Sequence, residues 1–376
     1  RQVGKGGGHA VRMPFIDVSE IGAGGGSIVR LDDGGLMRVG PDSAGSVPGP
    51  VCYDTGGTRP TFTDAAVTLG FVNPDFIAGG SVKLNAAMAR EAMTRHIAGP
   101  AGMPLLAAAH GVYSIAAATM MRAVKAVSTY QGRDPRDFSL FAFGGNGPIM
   151  AVEIARLLEM TRIVVPPSPG VFSALGLLFS EVRREFQKTI YRPMETLTPD
   201  LVTEAFAGLT ARARRTLLAE GCPEDDIECA LFADVRYAGQ AYELTVPATS
   251  TGGRIDLDAM ARAFHDEHAR TYGHASPQDR IELVNIRVTG RRRQTGNRLY
   301  RPQRLEAKPA GTLRRDAYFG PRHGSVEVAV IDRADLLAGP MRGPLIIEEY
   351  DATTVVQPGW TAALDSHRNI VISQDA

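Results

Sequence analysis

The turn at residues 144–147 combines residue types suited to contact with an anion or a purine. Gly144, Gly145, Asn146 and Gly147 follow a short apolar run and precede a helix-like segment. Glycines leave the backbone open, so N–H groups can point at a ligand, and the helix N-terminus adds partial positive charge. Tight strand-to-helix turns use the same residues for their geometry alone. A ligand-binding turn and a purely structural turn are therefore both open interpretations.

A second glycine-rich loop lies near the beginning of the chain, between two strand-like stretches. Its candidate binding residues are Gly22, Gly24, Gly25, Gly26 and Ser27. Such a loop can wrap a phosphate or the metal bound to it. A hairpin or bulge with unusual backbone angles has the same composition. The pattern alone leaves both alternatives in place.

Asp64 is the carboxylate that we single out as a catalytic candidate. It follows the stretch Gly56-Gly57-Thr58 and stands at the start of a helix-like segment. A carboxylate in that place can bind a hard cation, act as a general base or cap the helix. Capping is the commonest of these roles, and the catalytic role is retained beside it. We assign no metal ligands.

His265, His268 and His274 are close enough in sequence for a metal site to be considered. The first two share one face of a predicted helix. The order HExxH is absent, and the charged residues Asp266 and Glu267 stand between them. An exposed helix face is therefore the preferred interpretation. The sequence also has no G-x-S-x-G elbow and no Walker phosphate loop, which excludes the usual serine hydrolases and Walker-type ATPases.

Composition and charge exclude several other classes. The 376 residues predict two or three packed units. The 41 basic and 41 acidic side chains cancel, without a basic run that would track nucleic acid. The chain has 3 cysteines with no CxxC pair, which argues against a disulfide framework and favours the cytoplasm. No apolar run is long enough for a membrane span. The first residue is arginine, which indicates a fragment or a processed product.

Hydrophobic periodicity and chain breakers predict an α/β fold in three domains. The first contains a strand, glycine turn, helix and strand over residues 138–165. The second has the order α-β-β-α-β, and the third consists of short strands after a Pro/Arg-rich linker at residues 301–312. The predicted domains are residues 1–190, an α/β lobe; residues 191–300, an α+β domain; and residues 301–376, a small β-rich domain.

Several segments resemble the hydantoinase A family, which includes 5-oxoprolinases and subunits of acetone and acetophenone carboxylases. They occur in the family's order and cover nearly the whole chain, which is similar to the carboxy-terminal half of such subunits. The segments are residues 21–27, 39–45, 48–53, 63–65, 143–148, 169–176, 236–240, 242–244 and 343–354.

The resemblance implies a fold like that of actin, sugar kinases and Hsp70, in which two ribonuclease H-like lobes clasp ATP. It implies that residues 1–190 form part of one lobe. Residues 144–148 would be the adenosine-binding turn, and the loop at residues 22–27 would approach the nucleotide or the substrate. The phosphate-binding hairpins that precede these segments in such proteins have no counterpart in this chain.

The resemblance also implies an activity. Members use ATP to activate an amide or ketone oxygen by phosphorylation, after which water or bicarbonate reacts. We therefore expect ATP with magnesium or manganese, and a lactam, imide or ketone substrate. The expected partners are a hydantoinase B-type subunit and a chain or segment with the missing phosphate-binding half, without which this piece would be inactive. Met150 stands where the family often has histidine, which favours the alternative of a non-catalytic scaffold or docking subunit.

Overall fold

The computed structural model describes residues 18–179, 182–293 and 313–375. Helices and strands alternate along these residues, which confirms the predicted α/β class. Within them, every helix is too short or too polar to cross a lipid bilayer. The α-helices are α1 (Phe62–Thr68), α2 (Ala86–Met93), α3 (Leu105–Val127), α4 (Gly147–Leu157), α5 (Phe172–Leu178), α6 (Pro199–Ala219) and α7 (Leu257–Tyr272).

The strands belong to several small sheets rather than to one large one. The strands are β1 (Ser27–Leu31), β2 (Met37–Ser43), β3 (Leu140–Phe141), β4 (Arg162–Val165), β5 (Arg183–Pro193), β6 (Ile227–Tyr237), β7 (Leu244–Pro247), β8 (Ser250–Thr251), β9 (Arg254–Ile255), β10 (Ile281–Arg292), β11 (Leu313–Tyr318), β12 (Ser325–Ile331), β13 (Met341–Arg342), β14 (Leu345–Glu348), β15 (Thr353–Val356), β16 (Trp360–Leu364) and β17 (Ile370–Gln374).

The described residues divide into two compact units. The first unit contains residues 18–178 and 313–375, and the second contains residues 179–293. Each has its own buried apolar cluster.

The described residues of the first unit contain three sheets and the helices α1 to α5. A five-stranded sheet has the order β13-β16-β17-β4-β3, in which β3 and β4 are parallel. A four-stranded sheet has the order β11-β12-β14-β15. Helix α3 buries small residues such as Ala109 and Ala116 against its neighbours, so α1 and α4 approach it closely. The predicted hairpin after the first glycine loop is present as β1 and β2.

The second unit is a four-stranded antiparallel sheet, β5-β10-β6-β7, with α6 and α7 packed against it. Thr198 and Asp256 act as the N-caps of the two helices, and Gly273 ends α7 in the left-handed conformation with φ 80°. Its apolar cluster includes Phe206 from α6, Phe264 from α7 and Ile286 from β10. The order of elements along the chain contains the predicted pattern α-β-β-α-β as α6, β6, β7, α7 and β10. Strand β5 before it and the short strands β8 and β9 within it are additional.

The structure divides the chain differently from the three predicted domains. Strands β13, β16 and β17 of the last segment pair in one sheet with β4 and β3, more than 150 residues earlier in the chain. Residues 313–375 therefore complete the first unit instead of forming a separate β-rich domain at residues 301–376. The predicted linker at residues 301–312 lies outside the described residues.

Candidate functional site

The two glycine-rich segments meet in the first unit. A side chain at Gly25 would overlap the amide group of Asn146, and it would lie 2.9 Å from Oγ1 of Thr63. The Gly25 carbonyl accepts hydrogen bonds from N and Oγ1 of Thr63, both at 3.0 Å. Asn146 immediately precedes α4, yet its side chain does not cap that helix. The structure thus brings together two loops that are 120 residues apart in sequence.

The loop at residues 22–27 is held by its own groups. The Ser27 hydroxyl accepts from the Gly24 N–H at 2.8 Å and donates to the Gly22 carbonyl at 3.3 Å. Ser27 is buried, and a side chain at Gly26 would lie 2.9 Å from Oγ of Ser43. The Ser27 hydroxyl therefore closes the loop, which leaves the backbone as the part of the loop that could face a ligand.

The turn at residues 144–147 has one strained position and one open position. Gly144 has φ 82°, a region that other residues rarely adopt, and its N–H donates to the Pro169 carbonyl at 2.7 Å. Gly145 lines a cleft beside the turn. Gly147 begins α4, and Met150 is buried in the core of the first unit. The predicted strand, glycine turn, helix and strand are present as β3, residues 144–147, α4 and β4.

The cleft has a volume of about 230 Å³, and four parts of the first unit line it. Thr63 and Tyr53 come from the region around α1, and Asn146 comes from the glycine turn. Among the described residues that line it, none is lysine or arginine. Burial raises the pKa of the Tyr53 hydroxyl, which therefore stays protonated and available as a donor. The lining includes neutral polar groups, aromatic rings and the carboxylates of Glu348, Glu349 and Asp351. The lack of cations among them suits a nucleoside better than a phosphate chain.

The segment at residues 348–353 forms the wall opposite the glycine turn. Glu348 accepts from Nδ2 of Asn73 at 3.0 Å and from the Arg315 guanidinium at 2.7 Å. Glu349 accepts both hydrogen bonds of a bidentate pair from Arg333, at 2.6 and 2.8 Å. Two arginines from other elements thus pair with Glu348 and Glu349 and fix the wall, and the third carboxylate, Asp351, accepts from the Gly170 N–H at 3.0 Å.

Arg333 anchors that wall from inside the unit. Its side chain is 2% exposed, and it also donates to the carbonyls of Val165, Pro166 and Arg368 at 3.2, 2.8 and 2.7 Å. A buried cation in such a setting is stabilised only while all of these partners are present. Sequence reasoning assigned no role to Arg315, Arg333 or the wall. The only signal was that residues 343–354 belong to the segments that resemble the family.

Asp64, the catalytic candidate, lies inside the first unit with no exposed surface. It is the third residue of α1, and Thr61 is the N-cap. Its carboxylate accepts from the backbone N–H groups of Val51, Cys52 and Thr61 at 3.2, 2.7 and 2.8 Å, and from Oγ1 of Thr61 at 2.8 Å. Asp64 is thus the capping-box partner of Thr61, and the default expectation that Asp64 is itself the N-cap is wrong because Thr61 takes that position. The catalytic role stays a prediction, because neither carboxylate oxygen of Asp64 is exposed in this geometry.

The histidines of α7 lie in the second unit. His268 is buried, where it contacts the Gln240 side chain at 3.0 Å and the His274 carbonyl at 2.7 Å, while Nδ1 of His265 contacts the Tyr237 hydroxyl at 2.8 Å. These contacts tie the β6–β7 turn to α7. The preferred interpretation of an exposed face is wrong for His268, because the turn covers it. Among the described residues, no group of three or more His, Cys, Asp or Glu side chains is arranged to hold a metal ion.

The fold and the cleft define a mixed α/β protein whose glycine turn, between a strand and a helix, faces a cleft in the same unit. The family follows from comparison with known proteins. Residues 2–186 match the hydantoinase/oxoprolinase family, and residues 194–374 match the hydantoinase/oxoprolinase C-terminal domain. The chain belongs to the hydantoinase/oxoprolinase family, which confirms the resemblance seen in the sequence.

Several relatives share this sequence and fold. An uncharacterized protein of Methanocaldococcus jannaschii is 39% identical over 96% of this chain and 52% of its own length. Caprolactamase subunit alpha of Pseudomonas jessenii is 32% identical over 95% of this chain and 52% of its own length. The crystal structure of the ATP-dependent caprolactamase from that organism has a TM-score of 0.84, with 31% identity over 96% of this chain and 54% of the other.

A nucleotide-free structure of acetone carboxylase is also similar, with a TM-score of 0.70 and 25% identity over 94% of this chain and 52% of the other. The chain spans about half the length of the curated relatives that it matches.

Proposed function

We propose that this chain is part of the ATP-binding subunit of an ATP-dependent cyclic-amide hydrolase or ketone carboxylase, and that its cleft holds the adenosine part of ATP. The observation that carries the proposal is the meeting of Gly25 with Asn146 beside the cleft. Bound ATP would supply the phosphoryl group that activates an amide or ketone oxygen. The names of the similar caprolactamase and acetone carboxylase structures, both ATP-dependent, agree with this chemistry.

The donor set of the cleft fits a nucleoside. The amides of Asn73 and Asn146 and the hydroxyl of Tyr53 can hydrogen-bond ring nitrogens or ribose hydroxyls. Gly145 leaves room for close approach of a ring to the backbone. The wall carboxylate Glu348 is already neutralised by Arg315, so it does not repel the ligand.

Asp64 acts in this proposal as a positioning residue. Its hydrogen bonds to the N–H groups of Val51 and Cys52 hold the short turn Val51–Tyr53, and Tyr53 lines the cleft. Loss of the carboxylate would therefore move Tyr53 without removing a group that touches the ligand. Magnesium or manganese belongs to the phosphates of ATP in this proposal, and no residue of this chain is assigned to the metal.

The partners follow from the same proposal. A hydantoinase B-type subunit would complete the reaction centre for a lactam, imide or ketone. A chain or segment equivalent to the other half of the relatives would bring the cationic groups that a triphosphate needs. The assembly would work in the cytoplasm. Residues of this chain would bind and orient the nucleoside and exclude water from that end of the site.

Titration calorimetry with adenosine and with ATP tests the proposal. The Gly145→Val variant places a branched side chain in the cleft, where an added Cβ comes no closer than 3.9 Å to other atoms, so the fold tolerates it. The matched control is Gly208→Val in α6 of the second unit, where an added Cβ meets nothing within 4 Å. We expect binding at least about tenfold weaker in Gly145→Val, equivalent to about 1.4 kcal/mol, and unchanged in the control.

A folded chain that binds neither adenosine nor ATP would contradict the proposal. That outcome would favour the scaffold alternative, which Met150 in place of the family's histidine already suggested. Binding that Gly145→Val leaves unchanged would place the nucleotide somewhere other than this cleft.

A further inference from the structure

Apolar side chains form an exposed surface on the first unit beside the glycine turn. Phe141 and Phe143 are 44% and 42% exposed, and both contact Phe172, with ring centroids 5.4 Å apart. Leu177 and Leu178 continue this surface along α5 and are 75% and 71% exposed. These five residues are called the β3–α5 surface below. Soluble monomers rarely leave such a contiguous apolar surface uncovered.

Helix α5 is the most unusual part of this surface. Its sequence, residues 172–178, is almost entirely apolar, yet none of its residues is buried. A helix that is apolar on all sides is expected inside a protein core or an interface. Its residues therefore match an environment that the described residues do not provide.

Strand β3 adds a second, independent feature. It pairs with β4 on one side and ends the five-stranded sheet in the part of the chain that the structure describes. An edge strand presents unpaired backbone groups that can pair with another strand. Phe141 ends this strand and Phe143 follows two residues later, with the centroids of their rings 6.0 Å apart. The surface thus offers both strand pairing and apolar contact.

The surface is also connected to the cleft. The Pro169 carbonyl, just before α5, accepts from the Gly144 N–H at 2.7 Å, and the Gly170 N–H donates to the Asp351 carboxylate at 3.0 Å. A polypeptide that covers α5 would therefore lie beside the glycine turn and the cleft wall. This is the side from which the missing cationic groups could reach phosphates attached to a nucleoside in the cleft.

We propose that the β3–α5 surface is the docking site for the polypeptide equivalent to the half of the relatives that this chain does not match. That occupant is an α/β segment that adds a strand beside β3 and covers α5 with apolar side chains. Three observations select it over a second copy of this chain: the half-length match to the relatives, the open sheet edge, and the hydrogen bonds that join the residues just before α5 to a cleft without lining cations. The docking itself is independent of the proposed function, and only the role of the docked segment in binding the nucleotide rests on it.

Site-specific photo-crosslinking in the source cells tests this surface. The variant Leu177→p-benzoylphenylalanine carries the crosslinker on α5. The control is Leu36→p-benzoylphenylalanine, at an exposed leucine in the β1–β2 turn. We expect a light-dependent product from position 177 only, whose peptides align with the unmatched half of caprolactamase subunit alpha. A product containing two copies of this chain, a product with an unrelated protein, or no product above the control would overturn the proposal.

A charge-substituted variant provides a second measurement. Leu177→Lys combined with Leu178→Lys leaves the core untouched, because neither side chain is buried. Recovery of the same crosslinked or co-purified polypeptide should fall at least about tenfold while the circular dichroism spectrum is unchanged. A crosslink to the expected segment without adenosine binding would keep the docking surface and overturn the proposed function. Adenosine binding without that crosslink would support the proposed function and overturn the docking surface.

Discussion

Each of the two units contains an arginine paired with carboxylates, buried for Arg333 and half-buried for Arg287, but the pairs support different structures. In the first unit, Arg333 holds Glu349 and three backbone carbonyls behind a cleft wall. In the second unit, Arg287 joins Asp234 at 2.8 Å and Glu185 at 3.0 Å across neighbouring strands of a sheet. Asp234 also accepts from Asn285 and Thr245, so that network is satisfied by protein groups alone.

The difference shows that a buried ion pair does not by itself mark a functional site. Arg287 ties together strands that are already paired by their backbones, so it adds to the cohesion of the sheet. Arg333 fixes the turn between the paired strands β14 and β15, and this turn lines the cleft. Function is to be sought where the ion pair positions a loop beside a cleft.

The largest expected effect is the loss of stability in the Arg333→Met variant. Removing the guanidinium leaves Glu349 and three carbonyls without their donor in the interior. The expected loss is about 3–5 kcal/mol in the free energy of unfolding, measured by urea denaturation. Adenosine binding by the remaining folded protein should weaken as well, because the cleft wall is released.

The matched variant Arg287→Met sharpens the comparison. It should also destabilise the chain, because Asp234 has no exposed surface and loses its counter-charge. It should leave the adenosine affinity of the folded protein unchanged. Equal weakening of adenosine binding by both variants would contradict the division of roles between the two ion pairs.

Asp64→Asn is expected to have the next largest effect. The amide lacks one acceptor oxygen and adds a donor where the Val51, Cys52 and Thr61 N–H groups converge. The expected loss is about 2–3 kcal/mol, in the range of hydrogen bonds to a charged group. If Asp64 positions Tyr53, the affinity for adenosine falls, and turnover of the assembled enzyme falls in proportion to that affinity. Complete loss of turnover at saturating ATP in a folded variant would instead support the catalytic role.

The glycine contact gives a smaller and more specific prediction. The Gly25→Ala side chain would overlap the Asn146 amide and displace it. We expect adenosine binding about tenfold weaker, or about 1.4 kcal/mol. Asn146→Ala should weaken binding by itself, and the double variant should bind as Asn146→Ala does, because the two changes act through one contact. Additive effects in calorimetry would disprove the coupling between the two loops.

Local sequence patterns predicted the elements of this fold better than their grouping. The glycine turn before α4, the hairpin of β1 and β2, and the helices α3, α6 and α7 each follow from apolar spacing and breakers within one short window. The contact of Arg333 with Val165 spans 168 residues, and it has no local signature. The same is true of the pairing of β17 with β4, which merges the last segment into the first unit.

The candidate site shows the same division. The glycines were recognisable from their composition, whereas their meeting at Asn146 and the wall at residues 348–353 depend on tertiary packing. Helix α5 was not predicted, because an apolar stretch of seven residues between turns has no clear periodicity. Asp64 could not be placed because capping and catalysis use the same residue type at the same position.

The smallest expected effect is a pH dependence that arises in the first unit. Burial lowers the pKa of His110 on α3, with Glu153 raising it and Arg156 lowering it by smaller amounts. The unfolded chain then binds more protons than the folded one as pH falls through about 6.5, so stability is lost toward acid pH. His110→Gln should reduce the difference in unfolding free energy between about pH 7.5 and about pH 5.5. The control His96→Gln, at an exposed histidine, should leave this difference in unfolding free energy unchanged. The same difference in His110→Gln as in the unsubstituted chain would contradict the role of His110.

Amide hydrogen exchange with and without saturating adenosine would locate the nucleoside site on the chain. We expect slower exchange in the glycine turn at residues 144–147 and in the wall at residues 348–353, with no change in the sheet of β5, β10, β6 and β7. Protection confined to the second unit, or no protection in either unit, would contradict the assignment of this cleft to the nucleoside.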